Sequence, residues 1–284
     1  MHSMSVVMLC VGSTALGQLR LESIGWHPDA VRVDVYDVSA DGNALVGVMG
    51  FDRPGFVWRR ESGFVLLPSA GFEPARASAI STDGRVACGL ADGLLGIAGR
   101  WDIAAGTVQL LGNMEVASDI NGDGSVVVGW TGATAIRWQN GRYESVQIPS
   151  GGPTGSRNVS VSADGNTIVG TGFIWQYGVR VWEIPRQRGG SMQLSGLTAD
   201  GRVAFGLANP VNGSTTSGGF FRLTGWDSAG GPQYEWLFDT APGVTDIPMI
   251  RSADDGNTAV IRTSILSNLI WSRRLGMLTS AEFF

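Results

Sequence analysis

The chain contains no lysine: all 20 of its basic residues are arginine. That absence excludes a phosphate-loop lysine, a Schiff-base lysine and a Ser–Lys nucleophile pair. Histidine is nearly missing too, with only His2 and His27. Cysteine is limited to Cys10 and Cys88, and Cys10 falls in a segment expected to be removed, so the mature chain carries one thiol and no internal disulfide. One histidine and one distant cysteine give no basis for a zinc site or a Ser–His–Asp triad. Cys88 reads as a buried, inert thiol in a strand rather than a nucleophile. Charged residues make up only 16% of the chain, the net charge is −5, and no basic cluster occurs, so nucleic acid is not an expected partner. No apolar run reaches the ~20 residues that a membrane-spanning helix requires.

Glycine, by contrast, is abundant at 42 residues, and much of it is periodic. Ser39 to Gly47 reads SADGNALVG, and close copies run from Ser81 to Gly89, Asn121 to Gly129, Ser162 to Gly170 and Thr198 to Gly206. A sixth copy, Ala253 to Ile261, lacks the closing glycine. The aspartates fall at Asp41, Asp83, Asp123, Asp164, Asp200 and Asp255, in steps of 42, 40, 41, 36 and 55 residues. An Asp-Gly pair between apolar runs is a tight-turn signal. Glycine supplies the positive φ, and the carboxylate takes up nearby amides. The Ser or Thr two positions earlier adds its hydroxyl to the same turn. A β-branched run follows, and the small residue that closes it fits a place where another backbone passes close.

A second mark recurs after each turn, as Phe56-Val57-Trp58, Gly99-Arg100-Trp101, Ile136-Arg137-Trp138, Phe173-Ile174-Trp175, Phe220-Phe221-Arg222 and Leu269-Ile270-Trp271. Another apolar strand comes after it, so each unit holds four short strands. Four strands per roughly 40 residues is the arithmetic of a β-propeller blade. The expected fold is therefore all-β, a six-bladed β-propeller of four-stranded antiparallel blades. Seven blades are the variant if the termini share one, and a solenoid of such sheets is the alternative. Residues 1–17 read as a secretory signal, with an apolar run from Val6 to Leu16 and small residues before Gln18. Residues 18–284 then form a single domain of six repeats. Leu19 to Ile24 resembles the last strand of a blade, which could pair with the final repeat. The fifth repeat carries two polar, Gly-rich insertions, Ala208 to Gly218 and Thr224 to Pro232, and loops of that kind tend to hold function.

With the copies aligned, the pattern resembles the HAF family of extracellular bacterial repeats. That family pairs a Ser-x-Asp-Gly-x-x-Val-x-Gly hairpin with an aromatic-Arg-Trp strand and a Gly-x-x-x-Leu-Gly strand. Ala135-Ile136-Arg137-Trp138 and Gly106 to Gly112 match it best, and the resemblance covers about residues 19 to 278. It implies an exported, surface-associated protein, secreted or periplasmic, and carries over no catalytic residues. The Ser-Ala-Asp-Gly turn is also similar to the repeats of TolB-type propellers.

Three candidate chemistries remain. Asp119, Asn121 and Asp123 open like a calcium loop, with oxygens on alternate residues. A full EF-hand loop is excluded, because the position that should be acidic is Trp130. No cofactor is otherwise expected. Ten Trp invite a glycan reading, yet Trp58, Trp101, Trp138, Trp175 and Trp271 recur at one repeat position and are most simply packing residues. Among the non-repeating ones, Trp26, Trp130, Trp182, Trp226 and Trp236 are the surface candidates. Trp226, beside Asp227 in the insertion, comes first. Paired carboxylates drawn from Glu73, Glu115, Glu183, Glu235, Asp254 and Asp255 would suit a glycosidase, but sequence does not pair them. The expected role is thus a monomeric, non-catalytic binding module for a glycan or an extracellular protein. A polysaccharide-active enzyme and a structural repeat are the alternatives.

Overall fold

The structure is a computed structural model, and it describes residues 24, 25, 27, 32–50, 54–71, 74–146, 158–185, 191–209, 218–226, 232–239, 249–252, 256–262, 269–274 and 276–279. All regular structure among them is β. Six four-stranded sheets follow one another, each built from four consecutive strands in simple order. The first contains β1 (Asp34–Val38), β2 (Ala44–Val48), β3 (Gly55–Arg59) and β4 (Gly63–Leu66). The second contains β5 (Arg76–Ile80), β6 (Val86–Asp92), β7 (Ile97–Asp102) and β8 (Thr107–Leu110). The third has β9 (Val116–Ile120), β10 (Val126–Thr131), β11 (Thr134–Gln139) and β12 (Arg142–Val146), and the fourth β13 (Val159–Val161), β14 (Thr167–Gly170), β15 (Phe173–Gln176) and β16 (Arg180–Glu183). The fifth has β17 (Ser191–Leu197), β18 (Ala204–Asn209), β19 (Gly219–Trp226) and β20 (Pro232–Asp239). The sixth closes the series with β21 (Met249–Ser252), β22 (Thr258–Arg262), β23 (Leu269–Ser272) and β24 (Gly276–Thr279). The count of four strands per repeat read from the sequence is what the structure shows.

The described residues divide into two compact units. One runs to Gly132 and includes Ile136–Glu144; the other comprises Ala133–Ala135 and the residues from Ser145 onward. The first therefore holds sheets 1 and 2 and most of sheet 3, and the second holds sheets 4 to 6.

Each of the five described Asp-Gly turns is a small closed hydrogen-bond network. In the first, the Ser39 hydroxyl donates to Asp41 Oδ1 (2.6 Å) and accepts from the Ala44 amide (3.0 Å), while the Asn43 amide donates to Asp41 Oδ1 (2.9 Å). Ser81 and Asp83 repeat this in sheet 2, and Thr198 and Asp200 in sheet 5. In sheet 3 the Asn121 side chain takes the serine's place and accepts from the Val126 amide (2.8 Å). These bonds favour the ionised carboxylate. Asp41 is held below its ordinary value chiefly by the Ser39 hydroxyl, Asp200 by that of Thr198 and Asp123 by that of Ser125. At Asp164, burial pushes the other way, and the bonds from Ser162 and Asn166 still leave the net shift downward.

A pH dependence follows. A carboxylate with a folded pKa below its unfolded value near 4 stabilises the fold at pH values above that range. The contribution is lost as pH falls through the lower, folded value. Urea midpoints should therefore be flat around neutrality and fall below about pH 4. The double variant Asp41→Asn/Asp200→Asn should show a shallower acid limb; an unchanged limb would remove the turn carboxylates from the account.

Two backbone devices join the turns to their surroundings. Gly84 has φ +69°, and a Cβ there would lie 3.1 Å from the Ala44 Cβ of the preceding sheet, so the glycine answers both the turn and the packing. The turns are also tied to one another. The Ala40 amide donates to the Thr82 carbonyl (3.1 Å), Thr82 to Gly122 (3.0 Å) and, in the second unit, Ala163 to Ala199 (2.9 Å). The closing glycine of the repeat faces a bulge in the first strand. Gly47, Gly89, Gly129 and Gly206 pair with Val35, Ala77, Ala117 and Leu194, and in each case the register slips by one just beyond. The close backbone approach expected from the sequence is the bulge itself.

Candidate functional site

The seams between sheets 1 and 2, 2 and 3, and 5 and 6 are filled by two recurring side chains on the third strands. One is the repeated Trp. Trp58, Trp101, Trp175 and Trp271 lie opposite Leu45, Ala87, Ile168 and Ala259, each three residues after its turn glycine. All are buried, as is Trp138, in agreement with a packing role. Trp101 packs with Ala44, Val46 and Val57 of the preceding sheet, and Trp138 with Ala79, Val86 and Cys88. Cys88 itself is fully buried.

The other is an arginine that reaches forward into the next turn. Arg59 Nη2 donates to the Gly84 carbonyl (2.8 Å), Arg100 Nε to Gly124 (2.7 Å) and Arg222 Nη1 to Gly256 (2.7 Å). Two of these guanidinium groups also lie over the Trp of the following sheet, Arg100 at 5.9 Å from the Trp138 ring centre and Arg222 at 5.4 Å from that of Trp271. Arg222 is buried and ion-paired with Glu235, whose side chain stays 42% exposed.

The seam between sheets 4 and 5 breaks both rules. The triplet Phe220-Phe221-Arg222, the copy of the second mark that lacks a tryptophan, sits in register so that Arg222 corresponds to Arg100 and Leu223 falls in the Trp slot, opposite Ala204. On the fourth sheet, Ile174 stands where Arg100 stands in the second, and Gln176 stands where Arg59 stands in the first. The third strands supply neither a tryptophan nor an arginine to this seam, and here a groove of about 270 Å³ opens. Its walls are Val169, Ile174, Leu197, Ala204 and Leu223, and its rim carries Thr167, Gln176, Trp182, Arg202, Thr224 and Gly225.

Polar groups along this rim are left with open valences. The Thr167 residue is 7% exposed, and its hydroxyl has no hydrogen-bond partner among the described residues. The Gln176 amide and the Thr224 hydroxyl are likewise unpaired among them. Arg202 projects from the Asp-Gly turn with 84% of its side chain exposed, 3.8 Å from Asp200. Behind the groove, Phe221, Tyr234 and Trp236 form an aromatic cluster, with Phe221 5.6 Å from Tyr234 and 5.8 Å from Trp236. Burial pushes the Tyr234 phenol up to about 12, so it stays protonated.

The sequence candidates separate accordingly. Trp182 lies on the groove. Trp236 packs in the aromatic cluster behind it, half-buried. Trp130, expected at the surface, is buried at 6% exposure, because its position at the end of β10 points it inward. The backbone of Trp226 ends β19 opposite Pro232; Asp227 and the rest of the insertion up to residue 231 lie outside the described residues, as do Asp255, Glu73, Asp254 and residues 1–17. Asp119, Asn121 and Asp123 spend oxygens on the amides of Ile120, Val126 and Ser125, and no group of three His, Cys, Asp or Glu side chains that could hold a metal ion occurs among the described residues. Gln176, Leu223 and Arg202 were missed; the signal was the departure of two positions from their own repeat.

No protein-family model and no curated protein sequence matches the chain. Solved structures do. The oligogalacturonate lyase of Vibrio parahaemolyticus superposes with a TM-score of 0.56 at 14% identity, over 87% of this chain and 78% of that one. The Swd1 β-propeller domain of Myceliophteria thermophila gives 0.55 at 14% identity, over 87% and 86%. A putative TolB of Agrobacterium tumefaciens gives 0.54 at 14% identity, over 86% and 94%. At such identities the likeness speaks for the fold alone. Together with six consecutive four-stranded sheets, it makes this chain a β-propeller similar to TolB-type propellers.

Proposed function

We propose that the chain is an exported, non-catalytic propeller module that binds a glycan in the groove between sheets 4 and 5. The observation that carries this reading is the composition of the groove. An indole lies beside an amide and two hydroxyls that have no hydrogen-bond partner among the described residues, over an apolar floor. A sugar ring presents the complementary pattern, an apolar C–H face for stacking and hydroxyls for the polar rim. Export is supported by the signal-like residues 1–17, and the HAF resemblance of the repeats belongs to the same reading.

A polysaccharide-active enzyme has one specific point in its favour, a fold neighbour that is an oligogalacturonate lyase. Among the described residues the groove lining includes no carboxylate, histidine or thiol to move a proton or attack a bond, which favours the binding reading.

The purified chain, incubated with a panel of neutral and acidic soluble polysaccharides, should retain at least one of them without releasing reducing ends. Trp182→Ala should weaken retention about tenfold, the loss of roughly 1.4 kcal/mol of stacking. Release of reducing ends would overturn the non-catalytic reading, and absence of retention across the panel would overturn glycan binding.

A further inference from the structure

Arg202 is the one charged residue lining the groove among the described residues, and it is a cation. Its local bonding leaves it available. Asp200, its ionic neighbour, lies at 3.8 Å with both side chains largely exposed, a geometry that holds a guanidinium weakly. The Asp200 carboxylate is meanwhile engaged by the Thr198 hydroxyl (2.7 Å) and the Arg202 amide (3.0 Å) inside the turn. The guanidinium fork therefore extends past Asp200 toward the groove rim with most of its five donors unused. A planar fork of that kind is matched by a carboxylate, which it binds through two parallel N–H···O bonds.

We infer that the glycan taken by this groove is an acidic one, whose uronate carboxylate Arg202 receives while the sugar ring lies against Trp182. The inference rests on the glycan-binding reading above and narrows its ligand class. Bulk charge does not supply the attraction, because the chain carries a net −5 and repels polyanions at long range. Affinity for an acidic sugar has to be local. The turn of sheet 2 provides an internal comparison. Arg85 occupies the position of Arg202, with 78% of its side chain exposed and the same 3.8 Å spacing to its turn aspartate. There, however, Arg59 and Trp101 fill the seam. The two arginines share turn geometry and differ in whether a groove lies beside them.

The test is calorimetric titration of the full chain with tetramers of galacturonate and of mannuronate, each beside its methyl ester. Esterification removes the charge and keeps the ring. At least one acid form should bind tenfold or more tightly than its ester. Arg202→Gln should abolish that preference and leave residual binding that still depends on Trp182, whereas Arg85→Gln should change nothing. Equal binding of acid and ester, or a preference that survives Arg202→Gln or disappears equally in Arg85→Gln, would overturn the assignment. Binding of neutral glycans alone would overturn it and leave the module reading intact; no binding of any glycan would sink both.

Discussion

Replacing Gly89 by alanine should destabilise the chain by more than about 3 kcal/mol and lower Tm by about 10 °C. The substitution adds one methyl group and alters no charge. Its cost comes from position. A Cβ on Gly89 would overlap the Arg76 carbonyl oxygen and stand 2.9 Å from both the Ala77 Cα and the Ser78 nitrogen. All three are backbone atoms, so no rotamer can yield. They belong to the bulge in β5, and moving them would undo the register of the first strand against the second. Gly106 supplies the contrast in the same sheet. It has φ +64° with nothing within 4 Å of its virtual Cβ, and Gly106→Ala should cost only the strain of a left-handed alanine, about 1 kcal/mol. Thermal and urea denaturation of the two variants would settle the ranking. Equal costs would mean that the bulge relaxes freely and that the closing glycine is no packing requirement.

The second large effect is on binding. The double variant Gln176→Arg/Leu223→Trp should lose glycan retention at least a hundredfold while keeping or slightly raising stability, by about 1 kcal/mol. Leu223 lies opposite Ala204, and Trp101 and Trp271 lie opposite Ala87 and Ala259. The small cross-strand partner that makes room for an indole is thus still present where the indole is absent. An arginine at 176 would stand where Arg59 stands, with the Gly201 carbonyl in the place of the Gly84 carbonyl that Arg59 reaches. The two changes restore what the first seam already does, so overpacking is not the expected outcome. Full-strength binding by a folded double variant would show that the glycan sits elsewhere. A variant that fails to fold would be replaced by Leu223→Phe, which fills part of the same space.

How much of this was legible beforehand depends on what kind of residue carries each feature. The turns were, because Ser39, Asp41 and Gly42 act within a few residues of one another and every copy repeats them. The strand count was legible for the same reason, and so was the packing role of Trp58, Trp101, Trp138, Trp175 and Trp271, since recurrence at one repeat position is itself the signal. The groove was not. Phe220-Phe221-Arg222 shows in sequence that the fifth copy of the mark lacks a tryptophan, but only the pairing of β18 with β19 shows that Leu223 takes the indole's slot. Trp130 looked like a surface residue because it lies outside the repeat pattern, yet a non-repeating residue at a strand end can face inward as readily as outward. Arg202 carried no local mark at all, being one of two arginines that follow a turn glycine in the same way. Local chemistry is written in neighbouring residues. A cavity is written in the absence of side chains from another strand, and only register reveals it.

The missing arginine and tryptophan also change what holds the second unit together. Sheets 4 and 5 are joined by backbone bonds from Ala163 to Ala199 and from Gly172 to Met192, by the Ser160 hydroxyl donating to the Ser195 carbonyl, and by a shared apolar cluster, but they lack the charged reach and the stacked ring that join sheets 5 and 6. A sugar that stacks on Trp182 of sheet 4 and meets Arg202 of sheet 5 would span that gap and become, while bound, part of the fold. By mass action it would add about 2.7 kcal/mol to stability at a hundredfold excess over Kd. The robustness of the protein would then be set partly by its surroundings, high where the ligand is plentiful and lower where it has been used up.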